Sequence, residues 1–235
     1  MSDSAALDSF LEKWRTRWPE WSVGEIFVAP ACRETAVAWF ALLQEFDDAL
    51  NVSGDPLPAD AKLAWWGEEL RGWSGQRSRH PLGRRLEPVR AAWSSLADAL
   101  PALPAARGAQ AGSEEAFAAL AGYGAAVAAV EADVLGRAPD VQAVVAQVLA
   151  MSLADGGVAA VPMAFRREED TAAVRGWAAE VLRRWQGGRA GARERRVFAA
   201  YARGRLERLS RLGAPAPLPS RPVLLLTGWR AARGD

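Results

Sequence analysis

The chain has 235 residues, 50% apolar and 24% charged, with 29 basic against 28 acidic side chains. That length builds one large domain or two small ones around a substantial core, and a formal net charge of +1 gives no basis for a nucleic-acid or acidic partner. A single cysteine, Cys32, and a single histidine, His80, exclude a disulfide framework, a cysteine metal cluster and any site needing two imidazoles.

Alanine, leucine and arginine dominate and β-branched residues are sparse, so local propensity favours helix nearly throughout. Leu7, Phe10, Leu11, Trp14 and Trp18 repeat at the three- and four-residue spacing of an amphipathic helix over 3–18, which Pro19 ends. A second helix is predicted over 30–50, stopped by Asn51-Val-Ser-Gly54, and a third from Pro58 to about Trp73. A fourth starts near Pro81 and fades before Pro101. Residues 101–112, PALPAARGAQAG, read as an internal linker of small residues. Ser113-Glu-Glu then offers a capping hydroxyl and two acids for a helix over 113–135, whose alanines and glycines suit a buried central position. Further helices are expected over 139–154, 168–186 and 192–212. The tail, 213–235, carries one short apolar run at 223–226, either a final helical turn or a docked extended segment, with peripheral membrane contact open to it.

No alternating strand pattern and no fixed-period repeat occurs, so the fold class is all-α: a single domain, 1–235, built as a multi-helix bundle. The N-terminus, MSDSAALDSFLEKW, has acids where a secretory signal needs positive charge, and it lacks an apolar core. No run reaches the ~18 apolar residues of a membrane span. The expectation is a cytoplasmic protein with no integral membrane segment.

Two stretches carry chemistry. In FALLQEFDDALN, Asp47 and Asp48 fall in the last helical turn, where the macrodipole disfavours each negative charge by ~0.3–1 kcal/mol. Such a pair implies a compensating cation. With Asn51 it offers oxygens for a Mg²⁺ that keeps waters and binds a substrate diphosphate; the alternative is a solvated helix end paired with arginine. In LAWWGEELRGWSGQRSRHPLGRRL, Arg71, Arg77, Arg79, Arg84 and Arg85 form a basic cluster suited to phosphate oxygens, or simply a solvated loop. Trp65 and Trp66 point in different directions on a helix, so at least one faces the core. His80, before Pro81, reads as a loop or helix-start residue.

Taken together, these two stretches resemble the squalene/phytoene synthase family, in which an aromatic helix ends in an aspartate-rich motif and a Trp-Trp helix leads to a His-Pro phrase. The Ala/Gly helix around Tyr123, the segment VVAQVLAMSLADGGVAAVPMAF and the arginine-rich C-terminal helix keep the family's order. The resemblance implies the all-α isoprenoid synthase fold. It also implies a cavity near Phe40, Trp65, Trp66, Tyr123, Gln147 and Met151, with Mg²⁺ on Asp47 and Asp48 and a diphosphate held by Arg71, Arg77, Arg79 and Arg84. The chain departs from the pattern at Asn51, where the family has an acid, and at Gln44, where it has an arginine. In the second motif Gln147 remains, but Asp155 is a lone acid followed by Gly156-Gly157. Glu131 and Asp133, two apart, do not share a helix face. The implied reading is a degenerate member, a non-catalytic binder of an isoprenoid or lipid-like ligand or of a protein partner. The alternative is an active Mg²⁺-dependent prenyltransferase condensing prenyl diphosphates in isoprenoid biosynthesis. A third reading is a helical subunit whose cavity is closed around its tryptophans, marked by the lack of a pocket near Asp47.

Overall fold

The computed structural model describes residues 3–50, 55–107, 110–167, 169–186 and 189–234. They are all-α, with no strand among the described residues. In chain order the helices are α1 (Asp3–Arg17), α2 (Trp21–Gly24), α3 (Pro30–Leu50), α4 (Leu57–Ser74), α5 (Gly83–Leu86), α6 (Trp93–Ala99), α7 (Ala102–Ala105) and α8 (Ser113–Leu135). There follow α9 (Val141–Gly156), α10 (Asp170–Arg184), α11 (Arg193–Leu212) and α12 (Arg221–Arg233).

Helix α3 is the axis of the bundle. From Ala36 onward it is apolar on nearly every side, and the structure buries almost all of that stretch. A helix that is hydrophobic all round has to be surrounded. Helices α1, α4, α8, α9 and α11 all pack against it. Indole and phenyl rings fill the spaces: Trp14, Trp21, Phe40 and Phe198 form one cluster, and Trp39, Trp66, Trp73 and Trp93 another. Trp66 is core while Trp65 is exposed, as adjacent helix positions require.

Four local expectations are corrected. The fourth predicted helix is two short pieces, α5 and α6, because Pro88 lacks an N–H and restricts the residue before it. In the stretch read as a linker, α7 buries Leu103, and Arg107 reaches back to donate to the Ala49 carbonyl. Ser113 does not cap α8: its hydroxyl serves Glu180, and Glu115 instead accepts the N–H of Ala111. The tail forms a thirteen-residue helix, α12, rather than one turn or an extended strand.

The expectation on membrane length is also corrected. Ser113–Leu135 and Val141–Ala160 are long and apolar enough, by length and composition, to cross a bilayer. Here each buries one face, against the other and against α3, and α8 leaves its opposite face exposed, so it is half-buried rather than fully enclosed.

Glycine is required at the end of α11. Gly213 has φ of 71°, and a Cβ there would sit 2.3 Å from the Thr171 side chain and 2.8 Å from its carbonyl oxygen. Gly213→Ala therefore incurs roughly 1–2 kcal/mol for left-handed backbone plus the cost of moving α10 away. Urea denaturation should show a lower midpoint with an unchanged slope.

Candidate functional site

Site construction starts at the bundle centre. Glu131 of α8 is fully buried among apolar neighbours, and Arg195, in the first turn of α11, meets it there. Arg195 Nε lies 2.8 and 3.0 Å from the two Glu131 oxygens, and Nη2 donates to Oε2 as well. Its Nη1 donates to Gln147 Oε1 at 3.1 Å, and its guanidinium lies 5.1 Å from the Phe40 ring centre. Trp39 Nε1 gives Glu131 another hydrogen bond, at 2.7 Å. Four helices thus converge on one ion pair.

This cluster fills the space in which a central ligand would sit. The remaining void, lined by Phe40, Asp47, Tyr123, Gln147, Arg195 and Phe198 among others, is about 20 Å³. That admits one water, against roughly 300–1,000 Å³ for small-molecule sites. Of the cavity residues inferred from resemblance, Phe40, Tyr123 and Gln147 are brought together around this void. Met151 lines a different cavity, Trp66 packs against Phe46, and Trp65 lies outside under Arg79.

The aspartate pair splits in two. Asp47 turns inward, and its Oδ1 is buried with no hydrogen-bond partner. Burial, then the nearby charges of Asp48 and Asp155, push its pKa up to about 8, with Arg17 and Arg195 opposing. Asp47 is therefore largely protonated at neutral pH. Asp48 turns outward, accepting from Gln44 Nε2 at 2.9 Å and facing Lys13 at 3.8 Å and Arg17 at 3.7 Å. Arg17 also bonds Asp155, so one guanidinium bridges the acid at the end of α3 and the acid near the end of α9. Beside them Glu45 takes both lysines of the chain, Lys13 at 2.7 Å and Lys62 at 2.6 Å. Burial alone would raise the Glu45 pKa, but the two ammonium groups hold it below the ordinary value.

Of the residues inferred to hold Mg²⁺, Asp47 turns inward, Asp48 and Asp155 are paired with Arg17, and Asn51 lies outside the described residues. Among the described residues no group of three or more His, Cys, Asp or Glu side chains is arranged to hold a metal.

The predicted anion cluster is spread over the α4–α6 side. Arg71 pairs with Glu68 and, at 2.7 Å, with Asp98. Arg79 pairs with Glu69. Arg77 packs its backbone against Gly72, and Arg84 is exposed on α5. The cavities at Asp47 and Asp48 are lined by none of these four. His80 is wedged 4.5 Å from the rings of Phe10 and Trp66, and burial lowers its pKa to about 4. It is neutral at pH 7, and its Nδ1 accepts the Leu82 N–H at 3.2 Å. Glu69, buried, ties this loop to α4 through the N–H groups of Arg79 and His80 and the indole of Trp73.

Sequence reasoning did not reach the larger cavity, about 440 Å³, between the end of α1, α9, α11 and the segment 215–218. Its lining is apolar at Ala150, Met151, Leu206 and Leu209, and it carries Arg17, Arg205 and Arg208 beside Asp155 and the buried Glu20. Arg205 lies 3.8 Å above Trp18 and donates twice to Glu20, at 2.8 and 2.6 Å. Arg208 reaches the same carboxylate only at 4.0 Å. Burial, together with Arg205 and Arg211, holds the Arg208 guanidinium below its ordinary pKa despite Glu20. Two guanidinium groups thus share one buried acid in the cavity wall. No local signal marks this place, since its walls come from four distant segments.

No family model and no curated protein matches this chain. Among solved structures, the crystal structure of squalene synthase HpnC from Alicyclobacillus acidocaldarius is similar, at 19% identity over 98% of this chain and 91% of that one, with a TM-score of 0.48.

Two predictions follow from the buried charges. Arg195→Met leaves Glu131 buried without its cation and should cost about 3–5 kcal/mol, read by chemical denaturation. For Asp47, a folded pKa near 8 against an ordinary value of 3.8 means that the folded state binds the extra proton. Its contribution to stability is complete below about pH 4 and is lost as pH rises towards 8. Asp47→Asn should remove that slope and be more stable than the parent at pH 8, measured by denaturation at pH 5 and pH 8.

Proposed function

We propose that this chain is a squalene/phytoene synthase-like protein without prenyl-transfer activity, which binds a lipid-like anion such as an isoprenoid phosphate in the cavity between α1, α9 and α11. The reading is carried by one contrast: the bundle centre is filled by Arg195 and its partners, while an apolar cavity with arginines in its lining stays open beside it. The volume suits a small amphiphile. Three cations against two carboxylates in its lining favour a negatively charged head.

Transfer of a prenyl group from a diphosphate needs cationic charge on the leaving group, a term worth several kcal/mol when a metal supplies it. Here the acids that would hold that metal are already neutralised by Arg17. A second reading, a Mg²⁺-dependent prenyltransferase, draws support from the approach of Asp155 to Asp48 across Arg17. In that case a metal would have to displace the guanidinium.

Calorimetric titration with farnesyl diphosphate and farnesyl monophosphate, with Mg²⁺ and with a chelator, separates the two. Binding is expected to be equal in both conditions, without product, and to weaken at least about tenfold in Arg208→Glu, the scale of one charge-assisted hydrogen bond. Product that appears only with Mg²⁺ and vanishes in Asp48→Asn would establish the enzyme instead.

A further inference from the structure

We infer that α12 is a docking helix for an anionic lipid bilayer, lying flat on the membrane surface. Its outward face is apolar and cationic at once. Val223 is 52% exposed, Leu225 39%, Leu226 46% and Trp229 44%, and Arg230 and Arg233 lie exposed among them. Such a concentration of large apolar side chains on the solvent face of a packed helix is the reverse of the usual pattern.

The inner face is fully used. Leu224 and Gly228 are buried, and a Cβ on Gly228 would meet the Tyr201 hydroxyl at 2.5 Å and the Phe27 ring at 2.9 Å. Tyr201 donates to the Leu224 carbonyl at 3.1 Å. Arg196 donates to the carbonyls of Ala231 and Ala232, each at 3.0 Å. These bonds hold the helix in one orientation, so its exposed leucines and tryptophan cannot turn inward. The hydroxyl of Thr227 bonds back to Val223 O at 2.9 Å and adds no polarity to the surface.

Charge selects the occupant. From 213 to 235 the sequence has three arginines, Arg221, Arg230 and Arg233, against one acid, Asp235. Of the acids on the elements packed against it, Glu194 of α11 is buried, Glu207 of α11 pairs with Arg203, and Glu25 is half-buried on the short turn Glu25–Phe27. A bilayer carrying phosphate headgroups accepts both features together, with leucine and tryptophan below the headgroups and guanidinium at their level. Arg233 stacked 4.7 Å over Trp229 suits that boundary. Thirteen residues make a helix of about 20 Å, too short to span the ~30 Å hydrocarbon core. The segment entering α12 also carries Leu218, in the wall of the arginine-lined cavity. The inference does not depend on what that cavity binds.

Flotation of the full chain with phosphatidylcholine vesicles, with and without phosphatidylglycerol, tests this. The protein should float with the anionic vesicles only, and high salt should weaken the association. Leu226→Gln combined with Trp229→Gln should abolish flotation. Arg230→Gln combined with Arg233→Gln should lower it roughly thirtyfold, at ~1 kcal/mol for each arginine. All four side chains are exposed, so each variant should keep the helical circular dichroism spectrum of the parent, which is recorded alongside flotation. Flotation with neither vesicle, equal flotation with both, or variants that bind like the parent would overturn the inference. So would a dimer in sedimentation that the same variants dissociate, which would make this face a contact between two copies.

Discussion

A carboxylate and a guanidinium meet in the middle of this bundle, and the arrangement of everything around them depends on that meeting. Each ion loses several kcal/mol of hydration on entering the interior, so neither Glu131 nor Arg195 is stable there without the other. Gln147 accepts from the Arg195 Nη1, and Trp39 donates to Glu131. The result joins α3, α8, α9 and α11 at one point and sets their spacing. The same side chains occupy volume: with Phe40 and Phe198 stacked about the Arg195 guanidinium, no room remains for a hydrocarbon chain along the axis.

A filled centre moves the available space outward. Three cations on α1 and α4, Lys13, Arg17 and Lys62, meet three acids, Glu45, Asp48 and Asp155. The helix-end acids keep their compensating positive charge, but it is covalently part of the protein. A guanidinium fixed on α1 neutralises carboxylates without offering open coordination positions to a substrate. Asp47 is buried, and burial with the charges of Asp48 and Asp155 outweighs the pull of Arg17 and Arg195, so it holds its proton. The cavity at the end of α1 inherits the apolar lining and the surplus arginine charge. In the C-terminal segment, α12 exposes Val223, Leu225, Leu226 and Trp229 together with Arg230 and Arg233.

Much of the helical framework was legible in the residue pattern. The amphipathic spacing of α1, the apolar continuity of α3 and the stop at Pro19 each act over a few residues, and the structure follows them to within a turn. Pro88 was a visible breaker between α5 and α6 that the longer helix prediction passed over. Glu131 carried a readable sign too: it falls on the stripe of Leu120, Tyr123 and Val127, so a lone acid on an otherwise apolar face required a buried cation. The identity of that cation was not readable, because the chain has many arginines with the same local surroundings.

Helix type, helix ends and the presence of unusual acids were determined by the sequence itself, since periodicity and capping are encoded within one or two turns. Which charges meet was decided only by the tertiary structure. Arg195 reaches Glu131 across 64 residues, Arg17 reaches Asp155 across 138, and Arg205 reaches Glu20 across 185. Such pairs form because burial penalises any unpaired ion. That penalty exists only once the helices have packed, and it has no counterpart in the local sequence.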